Sequence, residues 1–311
     1  MSATGVQLSI VSTLYRSSPT IEQFIRRSAA AARELAGESF EIVIVNDGSP
    51  DDSIDKVRAL RGEFPQIVLV DLSRNFGHHV ALLEGLRYSR GELVYLIDSD
   101  LEEAPEWVAD FRDKLTSNQA DVVFGYQETR KGSAFERLSG AIYWWVFRRL
   151  SDLDLPANVV TCRLMTRRYV DAVNMYGERE LSFGGVLSVA GFVQVGTPVA
   201  KGDKESSSYS LRLKIWHMAN SISAFSVKPL NAIFALGIAV CMVASLVVVY
   251  LVSVSLFWNR SPTGWTSVIV SVWLLGGLTL TSLGVIAIYL GKTLSEVKAR
   301  PRAIVRSIER S

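Results

Sequence analysis

Two aspartates follow an apolar stretch in the middle of the chain, and their spacing suits a divalent cation. Residues 93–97 form an apolar run, and Asp98 and Asp100 come directly after it. Because side chains alternate along a strand, both carboxylates are predicted to point to the same side of a sheet. Like charges at such close range need a cation between them, and oxygen ligands suit Mg²⁺ or Mn²⁺. The alternative is a solvated, acidic helix start near Pro105.

The elements before these acids alternate between strands and helices. We expect strands at Leu8–Leu14, Phe40–Val45, Ile67–Leu72 and residues 93–97, with helical patterns between them. Strand–helix–strand units of this kind form a mostly parallel sheet with right-handed crossovers. The predicted fold class is therefore α/β and Rossmann-like.

Polar residues stand where three of these strands end. Asp47, Gly48 and Ser49 follow the second strand, Arg74 and Asn75 follow the third, and the aspartates follow the fourth. Ligands bind beyond the carboxyl ends of the strands in such sheets. One binding rim is therefore expected, formed by all three groups. A further helix and a strand are expected before residue 126, whereas the elements of residues 126–203 cannot be ordered from the sequence.

Composition limits the possible partners and the redox setting. The net charge of this 311-residue chain is only +2, which argues against nucleic acid as a partner. Cys162 and Cys241 lie far apart, so no disulfide framework is expected, and a reducing, cytoplasmic setting is the simpler assumption.

Two long uncharged runs predict a transmembrane hairpin over residues 230–290. Ala232–Phe257 and Thr266–Leu290 contain no charged residue, and each exceeds the roughly 20 residues that span a bilayer as a helix. A soluble-core helix is the alternative. Ala235 and Ala239, four residues apart, would permit close helix packing, so a homo-oligomer is left open.

The flanking charges predict how the hairpin is oriented. Only Arg260 lies in the connecting loop, while basic residues precede the first run and fill residues 291–311. Both termini and the domain at residues 1–203 are therefore expected on the cytoplasmic side of the inner (cytoplasmic) membrane, with a basic cytoplasmic tail at residues 291–311. Residues 204–229 have apolar residues three and four apart, which predicts an amphipathic helix in the membrane interface or, alternatively, an ordinary core helix.

Taken together, these motifs resemble the inverting glycosyltransferases of family two, which have the GT-A fold. The resemblance is closest to the polyprenyl-phosphate glycosyltransferases, such as dolichyl-phosphate mannose synthase and bacterial undecaprenyl-phosphate sugar transferases. The matching segments run in family order over nearly the whole chain: Val45–Ser53, Ser73–His79, Ala81–Leu86, Asp98–Glu106, Arg163–Met165, Ser207–Tyr209 and Ser226–Leu230.

The resemblance implies roles for individual residues. Asp47 would bind the base or ribose of a nucleotide sugar, and Asp98 and Asp100 would hold a metal–diphosphate as catalytic residues, with Arg163 steering the anionic acceptor. Glu102, where the family often has Gln, would be a third metal ligand. The remaining expected substrate-binding residues are Tyr15, Gly48, Ser49, Arg74, Asn75, Arg130, Lys131, Lys201, Lys204, Ser207 and Tyr209.

At two positions this chain lacks the Arg of the family pattern, so other basic residues are expected to contact the phosphates. Gln127 stands where the family has Arg, which leaves Arg130 or Lys131 for that contact. Gly202 stands at another Arg position, which leaves Lys201 or Lys204 for the acceptor phosphate.

The reaction implied by the resemblance is transfer of a sugar from a nucleotide-diphosphate sugar to a polyprenyl phosphate, undecaprenyl or dolichyl. Two alternatives stay open. Transfer to a hydroxyl of a glycolipid or lipid-linked glycan would need a base, such as Asp203 or Glu180. A non-catalytic membrane scaffold or flippase subunit would need neither metal nor base.

Overall fold

A computed structural model describes residues 5–128, 158–177, 183–201, 228–258 and 264–310. The chain divides into two compact units: one contains the sheet together with residues 300–310, and the other contains two long helices. The fold class is α/β, as predicted.

One mixed sheet of eight strands forms the first unit, with the spatial order β7-β5-β6-β4-β1-β2-β3-β8. The central strands β4, β1, β2 and β3 are parallel, as are β5 and β7, while β6 and β8 pair antiparallel with their neighbours. The strands are β1 Leu8–Leu14, β2 Phe40–Asn46, β3 Ile67–Leu72, β4 Leu93–Leu96, β5 Val122–Tyr126, β6 Val159–Thr166, β7 Gln194–Pro198 and β8 Val305–Glu309.

Helices connect the strands and cover the sheet. They are α1 Ile21–Ala36, α2 Ser53–Leu60, α3 His78–Tyr88, α4 Trp107–Ser117, α5 Arg167–Met175 and α6 Phe183–Val189. Every residue of β1, β2 and β3 is buried, as expected for parallel strands with helices on both faces. The four predicted strands of the parallel core are confirmed, with β1 and β3 at the predicted bounds and β2 and β4 within one residue.

The second unit contains α7, Lys228–Trp258, and α8, Trp265–Val297. Both are long and apolar enough to cross a membrane. Large side chains along them are exposed, such as Phe234 at 71% and Trp273 at 79%. These exposed apolar surfaces fit a lipid environment and not a soluble core. The predicted interfacial helix lies, apart from its last two residues, outside the described residues.

The predicted basic tail at residues 291–311 differs in the structure. The end of α8 reaches Val297, and Val305–Glu309 returns to the sheet as β8, antiparallel to β3. The compact unit that carries the sheet therefore extends beyond the predicted domain at residues 1–203 and includes the C-terminal strand.

Candidate active site

Asp47 joins the two loops that follow β2 and β3. Its Oδ1 accepts a hydrogen bond from the Phe76 N–H at 2.7 Å, and its Oδ2 accepts one from the Gly77 N–H at 3.0 Å. The residue is buried, and this burial raises the pKa of Asp47 against the opposing effect of the two N–H donors. The structure thus gives Asp47 the task of holding the loops together, and its direct contact with a base or ribose stays a prediction.

Gly48 lies where these loops touch. Its φ is 63°, and a Cβ added there would stand 2.6 Å from the Asn75 backbone N and 2.7 Å from the Arg74 carbonyl C. Only glycine fits both the left-handed backbone and this close approach. The two loops predicted to bind substrate are therefore one packed unit.

Ser49 and Tyr15 extend the same rim toward β1. The Ser49 N–H donates to Asn46 Oδ1 at 3.0 Å, and the Ser49 hydroxyl accepts from the Arg16 N–H at 2.8 Å. Tyr15 is 44% exposed, with the Arg16 guanidinium 5.6 Å from its ring centroid. The Tyr15 ring is therefore accessible, and its stacking on a base stays a prediction.

Arg74 and Asn75 are exposed at the end of β3. The Arg74 guanidinium lies over the Phe76 ring, 4.0 Å from its centroid, and donates to the Asn75 carbonyl oxygen at 2.9 Å. The Arg74 charge is thereby held at the rim, where a diphosphate of the predicted ligand would need it.

His78, at the start of α3, contacts Asp98. His78 Nε2 lies 3.3 Å from Asp98 Oδ1, and His78 Nδ1 lies 3.0 Å from the Thr13 hydroxyl. Burial works to lower the pKa of His78, but the hydrogen bond and negative charge of Asp98 outweigh it and raise that pKa. Burial likewise works to raise the pKa of Asp98, and His78 reverses the direction and lowers it. Each of the two groups thus favours the charged form of the other.

Asp98, Ser99 and Asp100 follow the end of β4, with Ser99 and Asp100 in a turn. Both carboxylates add to the negative charge that raises the pKa of His78. The Ser99 hydroxyl is buried and donates to the Thr13 carbonyl oxygen at 2.8 Å. Because β4 ends at Leu96, the predicted strand alternation does not extend to the two aspartates, and their common facing stays a prediction.

Lys201, which follows β7, reaches the acids after Asp100. Its Nζ lies 3.1 Å from Glu102 Oε2 and 3.6 Å from Glu103 Oε1. Burial works to lower the pKa of Lys201, but Glu103 and Glu102 outweigh it and raise that pKa. In this structure Glu102 pairs with an ammonium group, so its role as a third metal ligand stays a prediction. Lys201 places a cation at the rim, where an acceptor phosphate was expected.

Glu103 is a residue of the site that the sequence did not single out. It is fully buried, and its Oε1 accepts from the Thr161 N–H at 3.1 Å. Burial, followed by the charge of Asp98, raises the pKa of Glu103 to about 7. In the sequence it is one more acid before a predicted helix start, and only its burial beside Asp98 distinguishes it.

Arg163 on β6 is buried, at 6% exposure. It donates to the carbonyl oxygens of Thr161 at 3.1 Å and Val160 at 3.2 Å, and its guanidinium lies 5.4 Å from the Phe183 ring centroid. Burial lowers the pKa of Arg163, with Asp98 and Glu103 among the groups that oppose this effect. The charge of the buried Arg163 therefore interacts with Asp98. Direct contact of Arg163 with an acceptor stays a prediction.

Five predicted site residues lie outside the described residues: Arg130, Lys131, Lys204, Ser207 and Tyr209. Asp203 and Glu180, the bases named for a hydroxyl acceptor, lie outside them as well.

The donor set at the rim fits a divalent cation that is shared with a substrate. Within the described parts of the chain, no three or more His, Cys, Asp or Glu side chains form a ready-made metal cluster. Mg²⁺, however, is normally held by one or two carboxylates, with phosphate oxygens and waters completing the shell. Asp98 and Asp100 supply two such carboxylates two residues apart after β4, so a cation that arrives with a diphosphate fits the residues present.

Comparison with known proteins decides the family. The sequence model of glycosyl transferase family 2 matches residues 9–173, which carry β1 to β6 and both aspartates. This chain belongs to glycosyl transferase family 2. The resemblance drawn from the motifs, including the GT-A type of α/β fold, is thereby confirmed, and this family 2 glycosyltransferase has its aspartate pair at the carboxyl end of β4.

Full-length relatives of this family 2 glycosyltransferase carry related names. A Mycobacterium tuberculosis protein named as a glycosyltransferase is 41% identical over 97% of this chain and 88% of its own length. The SfII prophage-derived bactoprenol glucosyl transferase of Shigella flexneri is 29% identical over 98% of this chain and 99% of its own length. Among solved structures, glucosyl-3-phosphoglycerate synthase from Mycobacterium tuberculosis with uridine diphosphate aligns with a TM-score of 0.48 at 17% identity, over 70% of this chain and 80% of that one.

Proposed function

We propose that this family 2 glycosyltransferase moves a sugar from a nucleotide-diphosphate sugar to the phosphate of a polyprenyl phosphate, with Mg²⁺ or Mn²⁺ bound at Asp98 and Asp100. The observation that carries the proposal is the joint occurrence of this aspartate pair and two membrane-length apolar helices in one chain. The name bactoprenol glucosyl transferase, borne by a relative over nearly its whole length, supports a lipid phosphate as the acceptor.

The transfer needs two anions to be held together. An acceptor phosphate oxygen forms a bond to the anomeric carbon, the bond from that carbon to the diphosphate oxygen breaks, and the nucleoside diphosphate leaves with the electron pair. A bound divalent cation would neutralise charge on the departing diphosphate. Since a phosphate monoester is already anionic at neutral pH, no strong base is required.

The side chains of the rim can be assigned complementary parts in this reaction. Asp98 and Asp100 would hold the cation, and Arg74 would meet the diphosphate from the end of β3. Lys201, with 21% of its side chain exposed, would attract the acceptor phosphate. The contacts of Asp47 with Phe76 and Gly77, and of Gly48 with the Asn75 backbone, would hold the loops at residues 47–49 and 73–77 together beside these groups.

A hydroxyl acceptor is the weaker candidate on the described residues. Such an acceptor needs a general base, and Glu103 has a suitable pKa of about 7. Glu103 is fully buried, however, so its carboxylate cannot touch an acceptor in this structure.

The two long helices would anchor the enzyme where its acceptor resides. A polyprenyl phosphate keeps its tail in the bilayer and presents its phosphate at the surface, so anchoring turns the search for the acceptor into a local one. We propose the inner membrane as the location, with the catalytic domain and both termini in the cytoplasm.

The proposal is tested by reconstituting the full chain in lipid nanodiscs. Radiolabelled nucleotide sugars with different sugars and bases are each offered with undecaprenyl phosphate, dolichyl phosphate or a glycolipid that has only hydroxyl acceptors. Label should enter an organic-extractable lipid product with a polyprenyl phosphate, and EDTA should stop its formation. Transfer only to the hydroxyl acceptor would replace the proposal with the alternative, and no transfer from any donor would refute it.

A further inference from the structure

The C-terminal strand β8 is connected through one arginine to the loops at residues 47–49 and 73–77, which we call the nucleotide loops. Arg306 NH1 lies 3.1 Å from Asp71 Oδ2, and Arg306 NH2 donates to the Ser73 carbonyl oxygen at 2.8 Å. The Ser73 N–H in turn donates to the Ile304 carbonyl oxygen at 2.8 Å. The end of β3 is therefore held from both sides by a segment that follows the membrane helices in the sequence.

Asp71 passes this contact to the loop after β2. Its Oδ1 accepts from Asn46 Nδ2 at 2.7 Å, and Asn46 Oδ1 accepts from the Ser49 N–H at 3.0 Å. A continuous series of hydrogen bonds thus runs from Arg306 through two buried side chains to the backbone of Ser49.

The contact at Ser73 reaches the same place by a second route. Ser73 immediately precedes Arg74 and Asn75, whose backbone packs against Gly48. The loop then continues to the two N–H groups held by Asp47. Both hydrogen bonds of the Arg306 guanidinium therefore end at the loops that form the nucleotide side of the rim.

We propose that Arg306 is a positioning residue, which fixes the loops at 47–49 and 73–77 in the conformation that binds the nucleotide diphosphate. The inference rests on the proposed function, because it assumes that these loops bind a nucleotide. Arg306 itself touches no substrate, and it acts through Asp71, Asn46 and Ser73.

The burial of the two partners explains why an exposed arginine can have this effect. The Arg306 side chain is 61% exposed, whereas that of Asp71 is 3% exposed. An ion pair at the surface contributes little by itself. Removing Arg306, however, leaves a buried carboxylate without its cation, and Asp71 can recover hydrogen bonds only by drawing on Asn46 or on water. The change thus falls on the loops more than on the global fold.

Arg310, the residue directly after β8, offers a matched control. Arg310 NH1 lies 2.9 Å from Glu41 Oε2, and the Glu41 side chain is 6% exposed. Glu41 is the second residue of β2 and is also bonded by the Ser9 hydroxyl at 2.7 Å. It lies five residues before Asn46, about 16 Å along the strand from the rim. Arg306 and Arg310 thus each cover a buried acid, but only Arg306 does so beside the nucleotide loops.

The test compares Arg306→Gln, Arg306→Lys and Arg310→Gln in the full chain in nanodiscs. Binding of UDP, GDP, ADP and CDP with Mn²⁺ is measured by titration calorimetry, and thermal unfolding is recorded for every variant. Hydrogen exchange of the peptide that contains the Ser49 amide is followed without nucleotide. This last readout reports on the loop whether or not a nucleotide binds.

We expect Arg306→Gln to weaken nucleotide binding by about fivefold and to speed exchange at Ser49, whereas Arg310→Gln leaves both unchanged at a similar unfolding temperature. Arg306→Lys should give an intermediate affinity, because one ammonium keeps the charge but not both hydrogen bonds. If the wild type binds nucleotide and the two Gln variants have equal effects or no effect, the nucleotide site stands and the inference is overturned. If the wild type binds no nucleotide, the proposed function falls, and the inference falls with it.

Discussion

His78 Nε2 lies 3.3 Å from Asp98 Oδ1, so a histidine at the start of α3 contacts the first of the two aspartates. The contact raises the pKa of His78 and lowers that of Asp98, so each group favours the charged form of the other. The second ring nitrogen of His78, Nδ1, lies 3.0 Å from the Thr13 hydroxyl. His78 thus connects Asp98 to the end of β1.

Gly48→Ala should disrupt the rim. The added Cβ would stand 2.6 Å from Asn75 N, and φ is 63°, so we expect a loss of about 1–3 kcal/mol in the free energy of unfolding. Nucleotide binding should fall sharply, because the loops at 47–49 and 73–77 must separate.

Gly37→Ala is the control for backbone strain alone. Gly37 has a similar φ of 57°, but nothing lies within 4 Å of an added Cβ. It should destabilise the fold and leave nucleotide affinity unchanged, as measured by calorimetry. Equal affinities for the Gly48 and Gly37 variants would contradict the packed-loop account.

Glu103 should make stability depend on pH. Its pKa is raised from 4.5 to about 7, so the folded protein retains a proton that the unfolded chain releases. The free energy of unfolding should therefore fall as the pH rises through this window, by at most about 3 kcal/mol. The titratable groups that interact with Glu103 include Asp98, Lys201, Cys162, Tyr95 and Arg163.

Glu103→Gln removes this proton and should flatten the pH dependence. Urea unfolding is measured across the window in the presence of EDTA, with the exposed Glu34→Gln as the control. An unchanged pH dependence in Glu103→Gln would show that Glu103 titrates normally.

Some strands of the sheet could be predicted from the sequence, and others could not. The bounds of β1 and β3 could be predicted, because every residue of both strands is buried and polar or turn residues follow each strand directly. β8 was not predicted, since Val305–Glu309 has only two apolar residues, three positions apart, and lies among basic residues at a sheet edge. β6 was not ordered, because the buried Arg163 interrupts its apolar run.

The candidate site also has features that the sequence predicts and features that it does not. The position of Asp98 and Asp100 just after β4 is a local property that the sequence predicts, whereas their common facing stays a prediction because β4 ends at Leu96. The pairing of Glu102 with Lys201 joins residues almost a hundred positions apart, so no local pattern could predict it. Glu103 likewise contacts Thr161 and Lys201, which are distant from it in the sequence.

Lys201→Gln should weaken use of the acceptor. Removing the ammonium near Glu102 and Glu103 leaves the rim more negative, so the KM for polyprenyl phosphate should rise by about tenfold or more. The KM for the nucleotide sugar should change less. Lys201→Arg should retain most of the activity, and a Lys201→Gln enzyme with an unchanged acceptor KM would remove Lys201 from the acceptor site.

Membrane topology is predicted by the two long helices and the flanking charges. In a Cys162→Ser, Cys241→Ser background, Ser261→Cys should react with an impermeant maleimide from the outside of intact cells, whereas Ser311→Cys should react only after lysis. Labelling of both positions from the same side would contradict the hairpin.

The most direct test of the central claim is the transfer rate of Asp98→Asn with Mn²⁺, nucleotide sugar and undecaprenyl phosphate. The exposed Asp113→Asn on α4 serves as the control for loss of an acid. We predict that Asp98→Asn loses at least about a hundredfold in rate while it still folds and stays in the membrane fraction, and that Asp113→Asn keeps full activity. A rate for Asp98→Asn equal to that of the wild type would contradict the account.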